Sequence, residues 1–146
     1  MAFRPVAPAV QAALKSGLAA ETTVPCSIGY PVGGVASKQV WFTGEWQERV
    51  VRAVSGWGGR DVVGEIEARV MVTETSEVWT AVEADALTIA AAIEDLIVAD
   101  PTLSGAVANC WVTLTKSVEA HPEERTIQCG LSLTIAYEAT VSAATT

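Results

Sequence analysis

Between Arg60 and Thr75 the chain alternates along its whole length. Val62, Ile66, Ala68, Val70 and Val72 fall on one side, and Asp61, Glu65, Glu67, Arg69 and Thr73 on the other. Only an extended strand turns successive side chains to opposite faces, so this period of two predicts one long strand with a dry and a wet face. A dry sheet face needs a cover, and the next pattern supplies it. Trp79, Val82, Ala86, Ile89, Ile93 and Leu96 recur at steps of three and four, which is the repeat of a helix that buries one stripe. The stripe assigns Trp79 to the core. Thr75 or Ser76 is placed to cap this helix, with Glu77 in its first turn. Asp100-Pro101 ends it, because the residue before a proline avoids helical geometry.

The remaining segments follow the same two periods. Val6, Val10, Leu14 and Leu18 recur every four residues and predict a first helix over about Pro5 to Leu18, with Pro5 and Pro8 at or before its first turn. Val24, Cys26, Ile28 and Tyr30 alternate as a half-buried strand, and Pro25 places it at a sheet edge because it has no N–H to give a ladder. Pro31-Val32-Gly33-Gly34 is a turn. Lys38 to Thr43 and Glu48 to Val54 are two short strands, and Gly56-Trp57-Gly58-Gly59 is the break before the long one. A closing hairpin has Ala108, Cys110, Val112 and Leu114 on one arm and Ile127, Cys129, Leu131, Leu133, Ile135 and Tyr137 on the other. The polar stretch Glu119 to Glu124 joins them. One α+β domain over residues 1–146 is therefore expected, with ends frayed over about 1–4 and 141–146. It should hold a mostly antiparallel twisted sheet, two helices packed on one face, and a long C-terminal β-hairpin.

Composition narrows the function. Half of the 146 residues are hydrophobic, enough for a packed core, and the net charge of −8 opposes a phosphate-gripping DNA reader. An acidic wall past which DNA slides without sticking is still allowed. No apolar run approaches the ~18 residues of a membrane span, and no signal-peptide pattern follows Met1, so a cytoplasmic chain is expected. Cys26, Cys110 and Cys129 are odd in number and contain no C-x-x-C pair; they are expected to be small buried hydrophobes in a reducing compartment.

Chemistry is sparsely provided. His121 is the only histidine and lies in an acid-flanked loop, which removes multi-histidine metal sites and leaves a serine or cysteine nucleophile without a rigid base. Glu65 and Glu67 share a strand face, but alternating acids on such a face are ordinarily just solvated. The Gly56–Gly59 run is followed by a strand and has no lysine, so it is a turn and not a phosphate cradle. No catalytic, cofactor-binding or metal-binding residue is assigned, and no cofactor is expected. Glu94, Asp95 and Asp100 cluster near a helix C-terminus, where the dipole disfavours negative charge. Trp46 and Trp57 lie near turns and are hard to bury in one subunit. They are candidate anchors for a neighbouring copy. Arg49, Arg52, Arg60 and Arg69, in or beside the central strands, are candidates for salt bridges between subunits.

Several segments together resemble the tail-terminator, or tail-completion, proteins of long-tailed bacteriophages and prophages of actinobacteria. These are Ile28-Gly29-Tyr30-Pro31, Lys38-Gln39-Val40-Trp41, Gly59-Arg60-Asp61 before a long strand, and Ala99-Asp100-Pro101-Thr102-Leu103-Ser104-Gly105-Ala106-Val107 after a helix. The resemblance runs from about residue 5 to 140. It implies a structural virion protein and not an enzyme. Such a protein forms a six-membered ring that caps the head-proximal end of the tail tube, stops its growth, and joins it to the head-neck connector. DNA passes through the ring without being read. The place it implies is the tail–neck junction of the virion, reached from the host cytoplasm during assembly. Three other roles stand beside it: a head-side neck joining protein, a tail-tube subunit, and a small ligand-binding or hydrolytic domain using the concave side of the sheet.

Overall fold

A computed structural model of the protein describes residues 4–54, 59–75, 78–118 and 126–142. In chain order the elements are α1 (Ala7–Glu21), β1 (Cys26–Ile28), β2 (Lys38–Val54), β3 (Gly59–Glu74), α2 (Trp79–Ala99), β4 (Asn109–Val118) and β5 (Ile127–Ser142). The strands form one sheet in the order β1-β2-β3-β5-β4. All pairs are antiparallel except β1–β2. Both helices cover one face, giving the expected α+β architecture.

The core lies between that face and the helices. Val10, Leu14 and Leu18 of α1 and Val82, Ala86, Ile93 and Ile97 of α2 meet Val40, Phe42, Val62, Ile66, Val70, Leu133 and Ile135 from the sheet. Each large side chain buried here contributes about 1.5–3 kcal/mol. The β3–β5 ladder runs without a shift from Gly59↔Ser142 to Glu74↔Ile127. A slip of one residue would turn every core side chain of a strand into water, so the apolar alternation itself fixes this register. At Gly17 the two helices come close: a Cβ there would stand 2.6 Å from Leu96 Cδ2.

The structure departs from the sequence expectations in four places. Residues 38–54 form one strand and not two, because an irregularity between Phe42 and Trp46 absorbs Thr43-Gly44-Glu45 without ending the β2–β3 ladder. The edge strand β1 is shorter than the alternation of Val24 to Tyr30 suggested and runs parallel to β2, with the Pro25 carbonyl accepting the Val40 N–H at 2.9 Å. The return to the start of β2 bends through Gly29, Gly33 and Gly34, all at positive φ, where glycine alone carries no steric cost.

In α2 the helix begins at Trp79 with Val78 at the N-cap position, so Thr75 does not cap it and no acid sits in its first turn. Ser76 and Glu77 lie outside the described residues. Trp79 is 43% exposed and is not a core residue. As the first helical residue it lies along the helix surface, donating its indole N–H to Glu83 Oε2 one turn on. Finally, Leu114 faces away from the helices, because a bulge between Val112 and Leu114 inserts Thr113 and reverses the alternation of β4.

The end of α2 follows the sequence reading. Asp100 leaves helical geometry before Pro101, and its N–H closes the last turn on the Leu96 carbonyl. Its carboxylate then accepts hydrogen bonds from the Ser104 N–H at 2.8 Å and from the Ser104 and Thr102 hydroxyls. These bonds hold Leu103 and Ser104 at positive φ and let Leu103 reach the core. The negative charge at this helix end has a local use in Asp100: it organises the turn into β4.

Candidate assembly surface

One polar device ties the start of α1 to the sheet. Glu48 in β2 stands opposite Gly64 in β3, which stands opposite Tyr137 in β5. With no side chain at Gly64, the Tyr137 ring lies across the glycine and its hydroxyl donates to Glu48 Oε1 at 2.6 Å. The same oxygen accepts the Val6 N–H at 2.9 Å, at the N-terminal end of α1, where the helix dipole favours a carboxylate. Burial, then the bond and charge of Glu48, push the Tyr137 phenol far above its usual range.

The other sheet face carries no helix. Here the sheet forms an open groove whose largest segment, about 450 Å³, lies among Gln47, Arg49, Glu65, Trp111 and Ala136. It continues past Glu67 and Arg69 toward Tyr30 and Trp41, whose rings meet edge to face at 5.5 Å. The Glu65 carboxylate accepts from Gln47 Nε2 at 3.2 Å, and Glu67 from Arg69 Nε at 2.7 Å. Both acids are thus engaged along the strand face, and no group of three metal-ligating side chains occurs among the described residues. His121 lies outside them.

The sheet has two unequal edges. Beyond Phe42, β2 has no strand on its outer side among the described residues, because β1 covers only Val40 to Phe42. Along this free half Trp46, Val50 and Val51 are exposed. At the opposite side β4 is paired only to β5 among the described residues, and Trp111 and Leu114 are exposed there.

The candidate interface residues are spread over this surface. Trp46 lies on the free half of β2 and is 39% exposed, as its place beside the Thr43–Glu45 irregularity dictates. Trp57 lies outside the described residues. Arg49 is exposed in the groove and makes no ion pair among the described residues. Arg52 pairs with Asp61 at 3.0 Å, and Asp61 also accepts from the Thr140 hydroxyl. Arg69 pairs with Glu67, so both arginines already have partners within the chain. Arg60 stands beside Ala53 and Val141 in the ladder. Trp111, on β4 opposite Ala136, is also exposed.

Cys110 and Cys129 are buried, and burial pushes the Cys110 thiol up to about 11. Cys26 is half-buried, and burial raises it equally. A reactive thiolate is the opposite case.

Lys38 Nζ sits 3.7 Å from both Glu74 and Asp85, joining β2, β3 and α2. The hydrogen bond that Glu74 shares with Asp85 raises the Glu74 carboxyl, with burial and the Asp85 charge adding to it. A raised carboxyl binds its proton more tightly folded than unfolded, so stability falls as pH rises from the usual carboxylate range through the folded value. Glu74→Gln keeps a hydrogen-bond donor and removes the repulsion. It should therefore raise the melting temperature at pH 7, with a smaller gain at pH 4. Thermal melts at the two pH values check this, and a gain that grows on acidification would contradict it.

No family model matches the chain, and no curated protein matches it. Among solved structures it is similar to a chain in the virion of a native gene transfer agent particle, with a TM-score of 0.57 and 19% identity. The match covers 93% of this chain and 96% of that one, so it is a likeness of the whole fold.

Proposed function

We propose that this chain is a structural virion protein and acts as a tail terminator. Copies close into a six-membered ring on the head-proximal end of a phage or prophage tail tube, stop its polymerisation, and meet the head-neck connector. The observation that carries the reading is the end-to-end fold likeness to a chain of a gene transfer agent virion. The order of sequence segments from Ile28 to Val107 supports the finer assignment, and the Asp100–Gly105 segment has a defined task there, turning the chain from α2 into β4. The acidic balance suits a ring through which DNA moves without adhering. On this reading the protein makes and breaks no covalent bond, needs no cofactor, and resides at the tail–neck junction.

Particles assembled without the protein test the assignment. Overlong tails are the expected result. Tails of normal length that fail to join heads would instead identify a head-side neck component.

The groove at Arg49, Glu65 and Trp111 favours a second reading, a ligand-binding domain on the concave sheet face. That reading predicts saturable shifts of the Trp111 indole resonance on titration with small aromatic or carboxylate ligands. A structural ring component predicts none.

A further inference from the structure

We infer that successive copies join by pairing the start of the free half of β2, Trp46–Arg49, with the first residues of β4, Asn109–Val112, of the next copy. This rests on the ring reading above and adds which edges meet. The ladder registers carry it. Gln47 stands level with Glu65, Ala136 and Trp111 across the sheet, and Arg49 stands level with Val63, Glu138 and Asn109. Trp46–Arg49 and Asn109–Val112 therefore lie at the same height on opposite sides of one sheet.

Both edges are also interrupted at one common height. The β2 irregularity falls between the pairs Phe42↔Ala68 and Trp46↔Ile66, and the β4 bulge falls between Val112↔Ile135 and Leu114↔Thr134. Ile66 and Glu67 pair with Ile135 and Thr134, which puts the two breaks side by side. On one side of this line both edges are uncovered among the described residues, and β2 runs regularly from Trp46 to Val50, where a second irregularity falls before Arg52. On the other side β1 occupies the β2 edge, and β4 carries Lys116, a charge that opposes strand pairing. A rotation about an axis along the strands keeps heights unchanged, so it brings one free half-edge to the other.

Strand direction agrees. β2 and β5 run one way and β3 and β4 the other, so β4 beside the next copy's β2 is an antiparallel pair that continues the sheet. The contact joins two different surfaces, which is the head-to-tail kind that closes into a ring. Unpaired N–H and C=O groups on both edges find partners, and Trp111 comes level with the next copy's Gln47.

Paired cysteines test this. Within one chain Arg49 and Asn109 are three strands apart, about 14 Å along the sheet, whereas a disulfide needs Cα atoms within about 7 Å. The variant Arg49→Cys/Asn109→Cys, with Gln47→Cys/Asn109→Cys for a register displaced by two residues, is oxidised where native mass spectrometry registers an oligomer. Disulfide-linked species larger than dimers are expected from at least one pair, and at most dimers from each single variant. An oligomer in which neither double variant exceeds the single variants overturns the edge assignment and leaves the ring standing. A chain that is monomeric at every concentration, alone and with tail-tube protein, overturns both.

Discussion

Replacing Gly64 with alanine is expected to destabilise the fold by about 3 kcal/mol, at the upper end of what overpacking a core costs. A Cβ at this position would overlap the Tyr137 ring at its hydroxyl end and stand 2.8 Å from the Gln47 carbonyl oxygen. Tyr137 is fully buried and held by Glu48, and the Gln47 oxygen is backbone of a paired strand, so neither neighbour is free to yield. Denaturant unfolding of Gly64→Ala beside the parent measures the loss. A change within 0.5 kcal/mol, roughly the range of neutral surface substitutions, would mean that the ring does not cross the glycine as described.

Removing the carboxylate on the other side of that contact should cost nearly as much. Glu48→Ala leaves the Tyr137 hydroxyl buried without its acceptor and the Val6 N–H, just before α1, without its own. The loss is expected at about 2–3 kcal/mol, because one charge-assisted hydrogen bond and one helix-terminal bond disappear together. Tyr137→Phe should cost about 1–2 kcal/mol, since the ring stays and only the hydroxyl goes. The double variant separates the two contributions. If both changes act through one bond, the combined loss falls short of the sum of the single losses, whereas additive losses would show that Glu48 and Tyr137 act independently.

Much of this fold was written in periodicity, and the parts that were not have a common cause. The stripe of α2 and the alternation of β3 and β5 were legible because the residues sharing a face recur at a fixed short spacing, three or four in the helix and two in the strands. Pro25 at an edge and Asp100-Pro101 at a helix end were legible because proline constrains its own backbone. What periodicity does not encode is the place where a strand gains a residue. The Thr43–Glu45 irregularity and the extra Thr113 change which side chains face outward, and nothing local to Gly44 or Thr113 announces them. Leu114 was misplaced for that reason.

The surface was less legible still. Trp46 was singled out from its type and its place near a turn, and Arg49 from its place in or beside the central strands; both lie on the uncovered part of β2. Arg52 and Arg69 are candidates for salt bridges between subunits; within the chain Asp61 meets Arg52 from the facing position in β3, and Glu67 meets Arg69 from two residues earlier on the same strand. The first pair depends on cross-strand register, which alternation alone does not specify, whereas the second lies within the alternation of β3 itself. The Glu48–Gly64–Tyr137 row was missed altogether. Its members are far apart in sequence, and only the ladder brings them level.

Native mass spectrometry of the chain, alone and mixed with tail-tube protein, bears most directly on whether this domain works by closing a circle of copies. Six copies held together at the end of a tube are the predicted result. A chain that remains single in the presence of tube ends, at concentrations where the tube itself is assembled, would contradict it.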